Sequence, residues 1–329
     1  MKRIGLTLIL VLGSFGTFAA DDGDPRVWLS DMNRAFTDLS YDGIFSYFSG
    51  NDMASLRIVH MVVDGEQRER LVHLNGAPRE IIRTGEKVAC ILLPGDELRK
   101  LADSIPSGPF ARAFVRRYDQ ISQYYGLTFY GEGRVADRQA VRLRVSPRTD
   151  DRYGYRLWLD KSTRLLLRSE LIDLQGGRLE IFQFTQIVLG EEVDSAALEP
   201  TTRAGTVKDH LTLASESSQP VPERDMPWQV DWLPNGFTMA AADIRRASSD
   251  LKSIHTMMYS DGLAAFSVFI EDMPSAGAAS MVSRNGATVA VTHLVAGPSQ
   301  AHHLVTLVGE LPTPTAKRIV NSIRYRRSP

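Results

Sequence analysis

A dense run of charged side chains around His73 is the first part of the sequence whose residue types could do chemistry. The stretch VDGEQRERLVHLNGAPREIIRTG, residues 63–85, places glutamates and arginines on both sides of that histidine. Turn signals that contain glycine recur at intervals of about ten residues, which favours short strands joined by hairpins. Opposite charges on neighbouring strands stabilise a sheet modestly. We therefore interpret this stretch as the solvated side of a β-meander and not as a catalytic cluster.

The other candidates for catalysis or metal binding form no known pattern. None of the seven histidines belongs to an HExxH, HxH or Cys/His zinc spacing, and His302 and His303 point to opposite faces of a predicted strand. The tetrapeptide SDLK (249–252) has the S-x-x-K spacing of penicillin-recognising enzymes, but their SDN and KTG motifs are absent. The sequence also lacks a GxSxG elbow and a glycine-rich phosphate loop. We predict no catalytic residue, no metal site and no cofactor, and hence a protein that is not an enzyme.

The N-terminus has the pattern of a secretory signal peptide. The basic residues MKR precede the apolar run IGLTLILVLGSFGTFAA, which ends in small residues before DDGD. We predict a signal peptide over residues 1–20, cleaved after Ala19 or Ala20; an N-terminal membrane anchor is the alternative. The formal net charge of −1, from 38 basic and 39 acidic residues, gives no overall field that would attract nucleic acid.

Residues 21–200 are predicted to form the larger of two domains. An amphipathic helix opens it after Asp24 and ends near Asp42–Gly43, and a second helix covers Gly108–Gly126. Alternating segments with turns between them add roughly nine to eleven strands by residue 190. This pattern favours an α+β fold with a large curved antiparallel sheet, an unclosed β-barrel with helices over one face.

Residues 201–226 are predicted as a linker, because ESSQPVPERDMP is rich in proline, serine and charge. A smaller α+β domain follows over residues 227–329, with two apolar strands around Asp261–Gly262 and two more strands after them. A helix closes this domain, with Thr313 as a candidate cap and Pro314 in the first turn.

Five segments in these two domains resemble the RseB/MucB family of periplasmic regulators of the envelope-stress sigma factor. In order, they are YDGIFSYFSG, ERLVHLNGAPREIIR, YGYRLWLDKSTRLLLRSELID, WLPNGF and SDGLAAFSVFIE. The resemblance implies a larger domain similar to the lipoprotein carriers LolA and LolB, and a smaller α+β domain. It also implies a periplasmic protein that binds the periplasmic segment of a membrane-spanning anti-sigma factor and shields it from regulated proteolysis. Lipopolysaccharide or a related lipid would release that partner.

Two sets of residues are candidates for these binding functions. The curved sheet could enclose an apolar lipid cavity, lined by Phe45, Tyr47, Phe48, Phe110 and Phe114. The small sheet could present an edge or face to a peptide partner, with Asp261, Gly262 and Phe266 as possible contacts. For both sets, ordinary packing inside the domain is the alternative.

Two other functions stay open on the sequence alone. A periplasmic lipid or lipoprotein carrier would move acylated protein between membranes, whereas the regulator would bind one anti-sigma partner. An envelope hydrolase with dispersed catalytic residues would reveal itself by turnover in an activity screen. The sequence does not determine the oligomeric state.

Overall fold

The structure, a computed structural model, describes residues 23–76, 79–85, 87–92, 121–200, 206–210, 218–246, 253–273, 280–297 and 302–326. Within these ranges the chain forms an eleven-stranded sheet, a seven-stranded sheet and a two-stranded ribbon. All the strand pairs between them are antiparallel. In the described part of the chain, no helix is long and apolar enough to cross a membrane.

The first helix, α1 (Pro25–Asp38), begins as the sequence predicts. The side chain of Asp24 caps it by accepting a hydrogen bond from the backbone N–H of Arg26, and Pro25 occupies the first turn. Its end was predicted too late: the helix stops at Asp38, because the chain from Tyr41 onward is already extended and paired in the sheet.

The large sheet is a continuous antiparallel array. Its strands are β1 (Tyr41–Ser49), β2 (Asp52–Val63), β3 (Glu66–His73), β4 (Arg79–Thr84), β5 (Lys87–Leu92), β6 (Tyr125–Val135), β7 (Arg138–Pro147), β8 (Gly154–Asp160), β9 (Leu166–Ile172), β10 (Arg178–Leu189) and β11 (Thr206–His210). Their spatial order is β11-β5-β4-β3-β2-β1-β10-β9-β8-β7-β6. The two edge strands, β11 and β6, do not pair with each other. The predicted unclosed antiparallel sheet is therefore confirmed.

The charged stretch around His73 forms the meander β2–β4, as predicted, but part of it is buried. Arg70 and Glu80 form an ion pair of 3.2 Å with both side chains shielded from solvent. The 3-10 turn Ser195–Leu198 packs over β2 and β3, and the backbone oxygen of Ala197 accepts a hydrogen bond from Arg70. This side of the sheet is thus only partly solvated, because a later segment of the chain covers it.

The helix predicted over Gly108–Gly126 lies mostly outside the described residues, and with it Phe110 and Phe114. Its last part is described. Ile121 is helical, but Tyr125 is the first residue of β6 and pairs with Pro147. The predicted end of this helix at Gly126 is therefore wrong, because the chain is already paired in the sheet from Tyr125 onward. Ile121 and Tyr125 are both buried in the core between α1 and the sheet.

The smaller domain packs one helix against a second sheet. Its elements are β12 (Ser218–Pro220), β13 (Trp228–Val230), β14 (Thr238–Arg246), β15 (Ser253–Ser260), β16 (Ala265–Met273), β17 (Val282–Asn285), β18 (Thr288–Ala296), β19 (His302–Glu310), α2 (Thr313–Asn321) and β20 (Ile323–Tyr325). The sheet order is β12-β14-β15-β16-β19-β18-β17, and β13 pairs with β20. The predicted α+β class is confirmed. Thr313 is not the cap but the first helical residue, after Pro312.

The segment predicted as a linker contributes strands to both sheets. β11 pairs with β5 of the large sheet, and β12 pairs with β14 of the small one. The chain is therefore tied to the first domain at Thr206–His210 and to the second from Ser218 onward.

Candidate functional site

The predicted cavity residues on β1 divide between the two faces of the strand. Phe45 and Tyr47 share one face, where Phe45 packs against Phe182 and Phe184 with ring centroids 4.8 and 5.9 Å apart. Phe48 lies on the opposite face and is 39% exposed. The structure thus brings Phe45 and Tyr47 together within a packed aromatic cluster and separates Phe48 from them. A lipid cavity at these positions stays a prediction.

The predicted partner residues lie inside the protein. Asp261 and Gly262 form the turn between β15 and β16. One carboxylate oxygen of Asp261 accepts hydrogen bonds from the backbone N–H groups of Leu263 and Ala264, at 2.9 and 2.8 Å. Phe266 is buried and stacks on Tyr259 at 5.1 Å. In this arrangement none of the three is exposed to a partner. Their role in partner binding also stays a prediction.

Asp261 instead joins the two domains. Its second carboxylate oxygen accepts hydrogen bonds from Nη1 of Arg152 at 2.7 Å and from the Tyr125 hydroxyl at 2.8 Å. Arg152 and Tyr125 both belong to the large domain. Arg152 is 1% exposed and Asp261 2%. Nη2 of Arg152 also donates to the backbone oxygen of Asn235 at 2.6 Å. We call Arg152, Tyr125, Asp261 and Asn235 the interdomain junction.

Aromatic rings from both domains surround the guanidinium of the junction. It lies 5.3 and 5.5 Å from the ring centroids of Tyr124 and Tyr125 and 5.2 Å from that of Phe237. Such contacts favour a cation that has left water. Gly236 has a φ of +95°, and a Cβ at that position would lie 2.3 Å from the ring of Tyr124. Glycine at this position therefore permits the close approach of the two domains.

The buried environment of the junction keeps the Tyr125 hydroxyl protonated. Burial, and then the charge of Asp261, raise the pKa of the Tyr125 hydroxyl well above its ordinary value. The hydroxyl therefore stays protonated and donates its hydrogen bond throughout the physiological range. A neighbouring contact, from the Tyr153 hydroxyl to the backbone oxygen of Leu311 at 3.0 Å, adds a second buried hydrogen bond between the domains.

A second group of contacts joins the domains at Glu180 on β10. This carboxylate accepts hydrogen bonds from the Tyr47 hydroxyl at 2.6 Å and the Ser49 hydroxyl at 3.2 Å, and from the backbone N–H of Ala287 in the small domain at 3.3 Å. Burial, and then the charge of Glu180, raise the pKa of Glu310 at the end of β19 to about 7. Two carboxyl groups thus interact across the boundary.

The contacts at the junction and at Glu180 are hydrogen bonds and ion pairs that hold the two domains together. Among the described residues, no three His, Cys, Asp or Glu side chains lie close enough together to hold a metal ion. Sequence reasoning identified the turn at Asp261 but not its partner, because Arg152 lies 109 positions away along the chain. Charge in an otherwise apolar strand-turn-strand, as in SDGLAAF, is the one local signal that could have marked Asp261 as buried and paired.

Comparisons of the sequence with known families match both domains. Residues 24–202 match the MucB/RseB N-terminal domain, and residues 222–324 match the MucB/RseB C-terminal domain. The sigma factor AlgU regulatory protein MucB of Pseudomonas aeruginosa is 37% identical over 325 residues, which cover 97% of this chain and 96% of that protein. The sigma-E factor regulatory protein RseB of Escherichia coli is 28% identical over 336 residues, or 99% of each chain.

Solved structures of similar proteins agree. The complex of Pseudomonas aeruginosa MucA and MucB contains a chain with 33% identity and a TM-score of 0.76, covering 93% of this chain and all of that one. MucB alone has 33% identity and a TM-score of 0.64, over 92% of this chain and 98% of that one. The N-terminal and C-terminal family domains follow each other along this chain and together span nearly all the described residues. The chain therefore belongs to the MucB/RseB family.

Proposed function

We propose that this protein is a periplasmic negative regulator of an envelope-stress sigma factor. After loss of residues 1–20 it binds the periplasmic segment of a membrane-spanning anti-sigma factor and shields that segment from regulated proteolysis. A lipid signal such as lipopolysaccharide releases it. The protein acts by binding, without catalysis.

One observation carries the proposal. The chain matches, over 93% of its length and with a TM-score of 0.76, a MucB chain that is solved in complex with MucA. The match includes both domains, so the likeness extends to their arrangement and not only to each fold. In a second such structure MucB is in complex with MucA(peri), again with a TM-score of 0.76. A partner of the same kind, the periplasmic part of an anti-sigma factor, is therefore the natural candidate for this chain.

The interdomain junction supports a binding role that uses both domains. Arg152 and Asp261 are buried and form an ion pair, and Arg152 also pairs with Asp151 of its own domain at 2.8 Å, so separating the domains would leave the carboxylate of Asp261 without a cationic partner among the described residues. The docked domains then present one continuous surface, which costs less conformational entropy on binding than two freely moving ones. A partner that spans the boundary would bind tightly to this pre-arranged surface.

The test is binding and protection of the anti-sigma segment by the full mature chain. We expect a stable one-to-one complex by calorimetry and a slower rate of cleavage of the segment by the envelope protease that initiates its degradation. The matched control is Arg224→Gln, an exposed arginine of the small domain, which should bind like the wild type. Absence of a complex, or a complex in which the segment is cleaved at its free rate, would contradict the proposal.

The release step has its own experiment. Lipopolysaccharide is titrated into the preformed complex, with a fluorescent label on the anti-sigma segment, and release is followed by anisotropy. A ligand can shift this equilibrium only by its different affinity for the free and partner-bound protein. We expect the anti-sigma segment to be released until the lipid saturates the protein. Unchanged anisotropy at saturating lipid would show that the protein shields the segment but that lipid does not regulate this.

A further inference from the structure

Arginines form two rows across the face of the large sheet that lies opposite α1. In the first row, Arg144 on β7 pairs directly with Arg156 on β8, and Arg156 pairs with Glu170 on β9. In the second, Arg142 pairs with Trp158, and Trp158 with Arg168. The residues between them on the same strands point the other way, toward α1. We call these two rows the arginine face.

The arginine face has too few carboxylates for its cations. Among the described residues, Glu170 is the one carboxylate that forms ion pairs with the arginines of these rows: with Arg156 at 3.4 Å and with Arg168 at closer range. Arg178, at the start of β10, lies 3.6 Å from the same carboxylate. Three guanidinium groups therefore share a single negative charge.

The two arginines on β7 have an aromatic neighbour instead of an acidic one. The guanidinium groups of Arg142 and Arg144 lie 4.7 and 5.1 Å from the ring centroid of Tyr130. No carboxylate among the described residues forms an ion pair with either group. The Tyr130 hydroxyl, Nε of Arg142 and Nε of Arg168 are also without a hydrogen-bond partner in the described part of the chain.

This arrangement does not serve the stability of the sheet. Like charges directly opposite on neighbouring strands destabilise the pairing, and Arg144 and Arg156 are such a pair. A planar guanidinium presents a fork of donors that matches the oxygens of a phosphate group, and several forks side by side bind one strongly. An anion placed between the two rows would relieve the repulsion that the sheet otherwise carries.

The first row continues into exposed apolar side chains. Beyond Glu170 the paired residues are Ile181 on β10, Phe48 on β1 and Met53 on β2. Phe48 is 39% exposed and Met53 is 55% exposed. Three strand spacings separate Arg156 from Phe48, or about 14 Å. A ligand with a charged head and an alkyl tail would fit this succession, whereas a free anion would use only the arginines.

From these contacts we infer that the arginine face binds the phosphate-bearing head group of a lipid, with the tail directed toward Phe48 and Met53. Arg144 and Arg156 are the principal contacts of the phosphate, and Arg142 and Arg168 flank it. The inference rests on the proposed function for its regulatory meaning, because it identifies where a releasing lipid would act. The binding itself does not depend on the anti-sigma segment and can be measured without it.

The experiment measures binding of the full mature chain to vesicles. Vesicles of phosphatidylglycerol mixed with phosphatidylcholine carry net-negative phosphate head groups, and vesicles of phosphatidylcholine alone are the neutral reference. We expect binding to the anionic vesicles that weakens about fivefold for each arginine removed, and hence about 25-fold for Arg144→Gln combined with Arg156→Gln. Arg224→Gln, which removes an exposed arginine of the other domain, should leave binding unchanged.

Further variants distinguish lipid binding from the binding of a free anion and from a loss of structure. Phe48→Ser with Met53→Ser should weaken vesicle binding while the affinity for inorganic phosphate stays the same. Arg144→Gln alone answers the question if the double variant fails to fold, because Arg144 has no ionic partner among the described residues to lose.

Three results would overturn the inference: equal affinity of the double arginine variant and the wild type, an equal loss in Arg224→Gln, or binding of inorganic phosphate without binding of anionic vesicles. Binding of the anti-sigma segment, measured on the same variants, keeps the two proposals distinguishable. We expect that binding to be unchanged in the arginine variants. Its absence in the wild type would contradict the proposed function and leave the lipid site standing.

Discussion

The interdomain junction and the arginine face use the same residue type under opposite conditions. At the junction, Arg152 is buried and meets Asp261 and the backbone oxygen of Asn235 at hydrogen-bond distance. On the arginine face, Arg144 is exposed, opposes Arg156 across the strand pair and has no ionic partner among the described residues. One arginine is fully satisfied within the protein, and the other is not.

This difference separates structural charges from binding charges. A buried ion pair contributes little net stability over an apolar pair, but breaking it is costly, so it fixes one arrangement of the elements that carry it. Exposed charges without a partner behave in the opposite way. They lower the stability of the fold slightly, and their removal weakens the binding of a ligand without unfolding the protein. Stability and binding measurements on matched variants should therefore divide the two regions cleanly.

The largest effect is expected for Asp261→Ala at the junction. The substitution removes the acceptor of the Tyr125 hydroxyl and of the backbone N–H groups of Leu263 and Ala264, three buried donors. It also leaves the buried guanidinium of Arg152 with Asp151 as its one carboxylate among the described residues. We expect a loss of about 3–5 kcal/mol in the free energy of unfolding, measured with urea on the full chain. Asp225→Ala, at an exposed aspartate of the same domain, should change it by less than about 0.5 kcal/mol. A loss no larger than in this control would mean that Arg152 is hydrated and the junction open in solution.

The second effect is a pH dependence at the Glu180 contacts. The pKa of Glu310 is about 7 in the folded protein and 4.5 in an ordinary environment, so the folded state holds this proton more tightly. The resulting stabilisation is complete below pH 4.5 and is lost as the pH rises through about 7, by an amount on the order of 3 kcal/mol. Thermal unfolding between these pH values measures it. Glu310→Gln should abolish this change in stability between pH 4.5 and 7. If the stability of the variant still fell with pH as steeply as that of the wild type, other groups would be responsible for the pH dependence.

Much of the fold could be predicted from local patterns. The meanders β2–β5 and β7–β10 carry glycine turns and alternating apolar residues, which together determine where strands begin and end. The end of α1 was placed too late, because Asp42–Gly43 looks like a helix stop. Gly43 in fact lies within β1, where a Cβ would come within 2.5 Å of the Phe184 ring. Only the long-range pairing of β1 with β10 explains that glycine.

The interdomain junction and the arginine face were harder to predict, for a physical reason. Tyr125 and Asp261 are 136 positions apart, and a hydrogen bond between them leaves no trace in the periodicity of either segment. The alternation of Arg142 and Arg144 with apolar residues was visible in AVRLRVSP, and it correctly placed them on one face of a strand. The register that sets Arg144 opposite Arg156 depends on how β7 and β8 pair, which the sequence does not state.

A smaller effect is expected at the buried hydrogen bond beside the junction. Tyr153→Phe removes the hydroxyl that donates to the backbone oxygen of Leu311 in the other domain. The ring remains, so the loss in unfolding free energy should be about 1 kcal/mol. Tyr259→Phe is the matched control, since its hydroxyl donates to the sulfur of Met257 in the same domain at 3.6 Å and to no other group in the described part of the chain. Equal losses in the two variants would show that the interdomain hydrogen bond contributes nothing specific.

The smallest effect has the opposite sign and lies on the arginine face. Arg144→Gln removes one of two like charges that oppose each other across β7 and β8, so we expect the free energy of unfolding to rise by about 0.2–1 kcal/mol. Arg134→Gln is the control, because Arg134 is exposed and forms an ion pair with Asp137, and its loss should not stabilise the protein. Salt screens exposed charges, so the gain should shrink as sodium chloride rises from about 0.05 M to about 0.5 M. A gain that persists in high salt would point to better packing of glutamine instead of relief of repulsion. A loss of stability would show that Arg144 supports the sheet through Tyr130, and the arginine face would then resemble the junction in being built for structure.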